Sequence, residues 1–176
     1  MIANIRARTV HLAPGDFISG TAQDRTVITV LGSCVAMVLW HAPSRFFACC
    51  HFVCVSNNQP QAGSYLPDGR YGDQILPHFL QLLQKKRIPL AEVQVRLCGG
   101  ASSRKSQRLV PSFQVGQLNR DYAVQFCASH GLQAELLQFG SEHGVKLKFE
   151  ASDGTLEINS LAALEQREAQ LHEQKN

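Results

Sequence analysis

Two short apolar runs, Cys34 to Trp40 and Phe46 to Val55, lie almost end to end, parted only by His41 to Arg45, of which His41-Ala-Pro-Ser44 supplies the turn residues. Runs this continuous are the pattern of strands buried on both faces. The turn residues between them predict a hairpin. Just upstream, Thr26 to Leu31 is rich in β-branched residues and reads as a strand, which Gly32-Ser33 interrupts.

The rest of the chain mixes both periodicities. Ser56 to Gly69 has the composition of a long surface loop. A helix is predicted to open near Gly72-Asp73, with Ile75, Leu76, Phe79, Leu80 and Leu83 on one face. Pro77 is compatible with it only in the first turn, and Pro89 closes the segment. Val93 to Leu97 alternates as a strand that Gly99-Gly100 ends. A second helix is expected from Leu118 to His130, with Leu118, Tyr122 and Phe126 spaced by four, Asn119 placed to serve as an N-cap and Gly131 at the C-cap position. Val145, Leu147 and Phe149 alternate, and Asp153-Gly154 turns the chain into a strand over Thr155 to Asn159. Strands outnumber helices, and both are interspersed. The expectation is an α+β layered sandwich, with one or two mixed sheets flanked by about two main helices. Residues 1–160 are expected to form a single domain, and 161–176 a helical or frayed tail.

At 176 residues and 44% hydrophobic content the chain can bury a core without metal or disulfide. A formal charge of +3, with no interleaving of basic and aromatic residues, gives no ground for nucleic-acid binding. None of the six cysteines lies in a Cys-x-x-Cys pair. Met1 to Ala13 does not resemble a signal peptide, and the longest apolar stretch is far shorter than the roughly 20 residues that span a bilayer. A cytoplasmic location, with reduced thiols, is the expectation.

The hairpin also places chemistry. Cys34 and His51 are equidistant from the Ala42-Pro43 junction, so a hairpin centred there sets them directly opposite, with Cβ atoms roughly 4.5–5.5 Å apart on one face. A cysteine facing an imidazole could act as a nucleophile. Gly32 and Ser33 mark a strand break that can leave backbone N–H groups available to an oxyanion. Each residue also has a bland reading, Cys34 as the start of a buried strand and His51 as a satisfied core histidine. Cys49, Cys50, His51 and Cys54 invite a zinc reading, but strand alternation splits them between two faces, which favours packing over ligation. Gly99-Gly-Ala101, followed by Ser102, Ser103, Arg104 and Lys105, lacks the spacing of a phosphate loop and reads better as a tight turn.

Thr29-Val-Leu-Gly-Ser-Cys34-Val-Ala, with His51-Phe52 seventeen positions on, resembles the CheD family of chemoreceptor glutamine deamidases. Arg70-Tyr-Gly-Asp73, Gly99-Gly-Ala101 and Val115-Gly-Gln-Leu-Asn119 match further blocks of that family in order, so the resemblance runs from about Gly20 to Leu161. It implies an α/β sandwich like the deamidase domain of cytotoxic necrotizing factor toxins. It also implies hydrolysis of glutamine side chains in the cytoplasmic helices of methyl-accepting chemoreceptors, without metal or organic cofactor. By the same resemblance Cys34 is the nucleophile, His51 the general base and Thr29 the residue that orients the histidine, while a CheC-type phosphatase is a possible partner. The alternative from another class is a non-catalytic CheD-like module that docks on a receptor or on such a phosphatase. After His51 the chain departs from the family's usual apolar stretch ending in Leu-Pro, and it carries Gly140 to Lys146 in place of the later glycine-rich block.

Overall fold

The computed structural model describes residues 8–21, 24–57, 66–102 and 112–173. Parts of the Ser56 to Gly69 loop and of the segment running to Lys105 lie outside the described residues.

Among the described residues, nine strands form two mixed sheets. The first contains β1 (Thr9–Leu12), β3 (Thr26–Leu31), β8 (Val145–Glu150) and β9 (Leu156–Ser160), in the order β1-β3-β8-β9. The second contains β2 (Phe17–Thr21), β4 (Val35–His41), β5 (Phe46–Cys50), β6 (Gln94–Gly99) and β7 (Ala134–Phe139), in the order β2-β5-β4-β6-β7. The β1–β3 and β6–β7 pairs are parallel and the others antiparallel. The helices are α1 (Gly72–Lys85), α2 (Ser112–Ser129) and α3 (Leu161–Glu173).

All residues of β4 and β5 are buried, as their unbroken apolar sequence requires. Their alternate side chains feed two cores. Val35, Met37, Leu39, Phe46, Ala48 and Cys50 pack with Ile75, Leu76, Phe79 and Leu83 of α1 and with Ala123, Phe126 and Cys127 of α2. Ala36, Val38, Trp40, Phe47 and Cys49 face the other sheet, meeting Val27, Leu31, Val145, Leu147 and Phe149. The layers therefore run sheet, sheet, helices, and α3 lies against β9.

Three expectations need correction. Pro77 lies in the second turn of α1, where its ring removes the bond that the Asp73 carbonyl would otherwise accept. The helix stands because Ile75, Leu76, Phe79 and Leu83 are fully buried. α2 begins at Ser112, not Leu118, so Asn119 is inside the helix and cannot cap it. Leu118 is exposed; the buried face of α2 carries Asn119, Ala123, Phe126 and Cys127 instead. Gly131 does take the left-handed conformation (φ 68°) that ends this helix.

Candidate active site

β3 belongs to the first sheet and β4 to the second, so Gly32-Ser33-Cys34 is the link by which the chain crosses between layers. β3 points Val27, Thr29 and Leu31 inward, and Thr29 is the one polar side chain of that row. From the second sheet His51, just past β5, extends the β2–β5 ladder, its N–H donating to Asp16 O at 3.0 Å. Thr29 and His51 are each 2% exposed, and they meet between the sheets.

Thr29 Oγ1 is 2.8 Å from the Leu12 carbonyl and 2.7 Å from His51 Nδ1. The Leu12 carbonyl can only accept, so the single hydroxyl hydrogen goes to it. Thr29 must then accept from His51, and Nδ1 carries the ring hydrogen. The lone pair is thereby on Nε2, which is buried and has no hydrogen-bond partner among the described residues.

The hairpin centre falls between Pro43 and Ser44, because Val38 pairs with Cys49 and His41 with Phe46. The predicted centre was one position too early. A four-residue turn, closed by Arg45 N–H to Ala42 O at 3.2 Å with Arg45 at φ 53°, takes one more residue than expected on the far side. The isolated bridge from Val35 to Phe52 continues this register. His51 is therefore opposite Ala36, and Cys34 is the diagonal neighbour on the same face rather than the direct partner. Such neighbours have Cα atoms about 7–8 Å apart and Cβ atoms somewhat closer. An offset of two residues preserves the face, so thiol and imidazole still share the inter-sheet side.

Burial sets the resting charge. Desolvation pushes the Cys34 thiol above its usual range and a charge on nearby Cys54 pushes the same way, while its own backbone N–H opposes them. Burial lowers His51 to about 4, against the opposing pull of the Leu12 carbonyl and Asp16. At neutral pH both groups are uncharged. The arrangement is a neutral thiol and a neutral imidazole on one inter-sheet face, not a standing thiolate–imidazolium pair.

The link carrying Cys34 is pinned by its carbonyls. Gly32 O accepts from Ala101 N at 2.7 Å, Ser33 O from Asn119 Nδ2 at 3.1 Å and Cys34 O from Gly100 N at 2.7 Å. Gly99, at φ 93°, permits this approach, since a Cβ there would lie 2.5 Å from Cys34 O. Asn119 Nδ2 also donates to Val53 O at 2.8 Å. Asn119 is fully buried, a role that its expected place at a helix end does not suggest. The available signal was its place on the stripe Asn119, Ala123, Phe126 and Cys127, where a polar residue needs a partner. Leu12, an acceptor through its backbone, left no signal at all.

Cys49, Cys50, Cys98 and Cys127 are buried thiols, and Cys54 is half-buried. Among the described residues no group of three or more His, Cys, Asp or Glu side chains is placed to hold a metal ion. No described helix is long and apolar enough to cross a membrane.

A family model described as CheD chemotactic sensory transduction matches residues 56–160. A protein of Chromobacterium violaceum named probable chemoreceptor glutamine deamidase CheD 1 is 32% identical over 160 residues, covering 91% of this chain and 81% of the relative. That span necessarily includes Thr29, Cys34 and His51. Proteins named probable chemoreceptor glutamine deamidase CheD 2 are 33% identical in Albidiferax ferrireducens and 32% in Geobacter sulfurreducens. They cover 82% and 86% of this chain, and 83% and 89% of the relatives. With over half the chain inside the family match and full-span relatives above 30% identity, the chain belongs to the CheD family.

Proposed function

We propose that this chain is a protein-glutamine glutaminase that converts glutamine side chains of methyl-accepting chemoreceptors to glutamate. The observation that carries this reading is the Thr29–His51 bond, which leaves a buried imidazole lone pair on the face that also bears Cys34. His51 Nε2 takes the Cys34 proton as Sγ bonds to the glutamine δ-carbon. The resulting imidazolium returns that proton to the departing nitrogen, the carbon–nitrogen bond breaks and ammonia leaves. Water, deprotonated by the same Nε2, then attacks the thioester, and glutamate and the free thiol are released. Gly32 and Ser33 shape the strand break whose N–H groups face the developing oxyanion. The step uses no metal or organic cofactor.

Each turnover replaces a neutral amide with a carboxylate on a receptor helix. Like-charge repulsion between helices then shifts the receptor's signalling equilibrium. The substrate region is the cytoplasmic helical part of the receptor, so the enzyme acts in the cytoplasm, and a CheC-type phosphatase is its candidate regulatory partner. Residues 1–160 form the deamidase domain and 161–176 its C-terminal extension.

The test is mass spectrometry of receptor cytoplasmic fragments incubated with the protein. The amide-to-acid mass gain should appear at discrete glutamines with the wild type and vanish with a folded Cys34→Ala variant. A wild type that leaves every receptor glutamine unchanged would overturn the assignment.

A further inference from the structure

The β4 ladders stop at Cys34 in an unusual way. In the β4–β5 register, Val35 and Phe52 exchange both backbone bonds, at 3.1 and 3.0 Å. The next such pair would be Ser33 with Cys54. Cys54 N instead donates to Arg70 O at 3.1 Å, and Cys54 O accepts from Gly72 N at 2.9 Å. On the β6 side, Val35 pairs with Gly99, so Cys34 and Gly100 should exchange both bonds. Only half of that exchange exists. Gly100 N reaches Cys34 O, but Gly100, at φ 65°, turns its own carbonyl to Arg120 Nη1.

Two neighbouring side chains of α2 thus take the places of two ladder partners. Asn119 holds the Ser33 carbonyl that Cys54 N would have held, and Arg120 holds the Gly100 carbonyl that Cys34 N would have reached. The N–H groups of Ser33 and Cys34 are left without backbone partners among the described residues, the Cys34 N–H meeting only its own thiol. Their direction follows from peptide geometry. In a trans peptide the N–H points away from the preceding carbonyl. The Gly32 carbonyl is fastened to Ala101 and the Ser33 carbonyl to Asn119, so the Ser33 N–H points away from Ala101 and the Cys34 N–H points away from Asn119. The amide of Asn119 can be oriented in only one sense, because both its contacts are carbonyls and only the nitrogen end has hydrogens for them. Arg120 also has a prepared path: a Cβ on Gly100 would lie 2.5 Å from its Cγ, and one on Gly140 would lie 2.9 Å from its Nε.

We infer that Asn119 and Arg120 are positioning residues that hold the ladder open and thereby create the oxyanion pocket from the Ser33 and Cys34 N–H groups. The inference rests on Cys34 being the nucleophile. Asn119, through Val53, also ties the link to the segment that follows His51, so one carboxamide fixes both halves of the site.

The test has two readouts on the full chain. In amide hydrogen exchange by NMR, Ser33 and Cys34 should exchange at least about tenfold faster than Val35 in the wild type. In Arg120→Met the released Gly100 carbonyl should protect the Cys34 amide. In kinetics, Arg120→Met and Asn119→Asp should each lower kcat for deamidation about a hundredfold with little change in KM. Alkylation of Cys34 by iodoacetamide, a displacement that builds no oxyanion, should stay within about twofold of wild type. Arg120→Lys, which keeps one donor, should recover most of the lost kcat. If Asn119→Asp does not fold, Arg120→Met and its lysine rescue decide. Protected Ser33 and Cys34 amides in the wild type, unchanged kcat in the variants, or equal losses of kcat and alkylation would each overturn the inference. A wild type with fast Ser33 and Cys34 amides that deamidates no receptor would overturn the proposed function while still supporting the open ladder.

Discussion

Thr29 and His51 belong to different sheets, yet their side chains share a 2.7 Å hydrogen bond in which the histidine is the donor. The direction is forced by Leu12, whose carbonyl takes the only hydrogen that Thr29 can give. The threonine therefore selects the imidazole tautomer, and the selected tautomer is the one able to deprotonate a thiol through Nε2.

Replacing the threonine should separate orientation from burial. Thr29→Val keeps the shape but removes the acceptor, leaving a buried Nδ1–H unpaired at a cost of about 1–3 kcal/mol. Deamidation should fall by about 10²-fold, as expected when a general base is no longer held in position. Thr29→Ser should retain most activity. Imidazole nitrogen NMR is the direct check: wild type and Thr29→Ser should show a single tautomer protonated at Nδ1, and Thr29→Val a mixture. The same single tautomer in Thr29→Val would refute this role.

Acid should weaken the fold through His51. Its pKa is about 4 in the native state against 6.5 for the unperturbed side chain. Between those values the unfolded chain takes up a proton that the native site refuses. Stability from this group is thus fully present above pH 6.5 and is lost as pH falls toward 4, by about 3 kcal/mol in all. His51→Asn keeps a donor for Thr29 but does not titrate. Urea midpoints at pH 7 and pH 4.5 should differ less for the variant than for the wild type, and equal differences would contradict the assignment. Catalysis should likewise keep its neutral base down to about pH 4.

Thiol labelling should divide the six cysteines by access. Cys34 and Cys54 are partly exposed and the other four are buried, so iodoacetamide on the native protein should modify the first two and reach Cys49, Cys50, Cys98 and Cys127 only on unfolding. Because burial raises the Cys34 thiol, its labelling rate should climb steadily through pH 9. A rate already level at neutral pH would mean a standing thiolate and contradict the neutral pair.

Much of the layer plan was legible because burial on both faces leaves an unmistakable apolar run. β3 is legible with its observed bounds and β4 and β8 to within one residue, whereas β5 ends at Cys50, five residues before its apolar run does at Val55. β1, β2 and β7 were not recognised as strands. They are edge strands with exposed positions, and β2 includes Ser19 and Gly20, so their apolar signal is weak. The shared face of Cys34 and His51 survives a turn centred one position later than its sequence suggests, because that moves the partner by two residues and the period of a strand is two. What could not be read was any contribution made through the backbone. The Leu12 carbonyl and the half-made pair of Cys34 with Gly100 depend on how distant segments pack, and no side-chain type announces them.

The crossing between the sheets has a mechanical consequence. From Leu31, the last residue of β3, to Val35, the first of β4, the chain advances four residues. Four residues reach at most about 14 Å when fully extended, while packed sheets stand about 10 Å apart. The tether that carries the thiol thus has only about 4 Å to spare. Cys34 is located by the length of chain available as much as by any contact it makes, and a single residue inserted between Leu31 and Cys34 should release it from the imidazole while leaving both sheets intact.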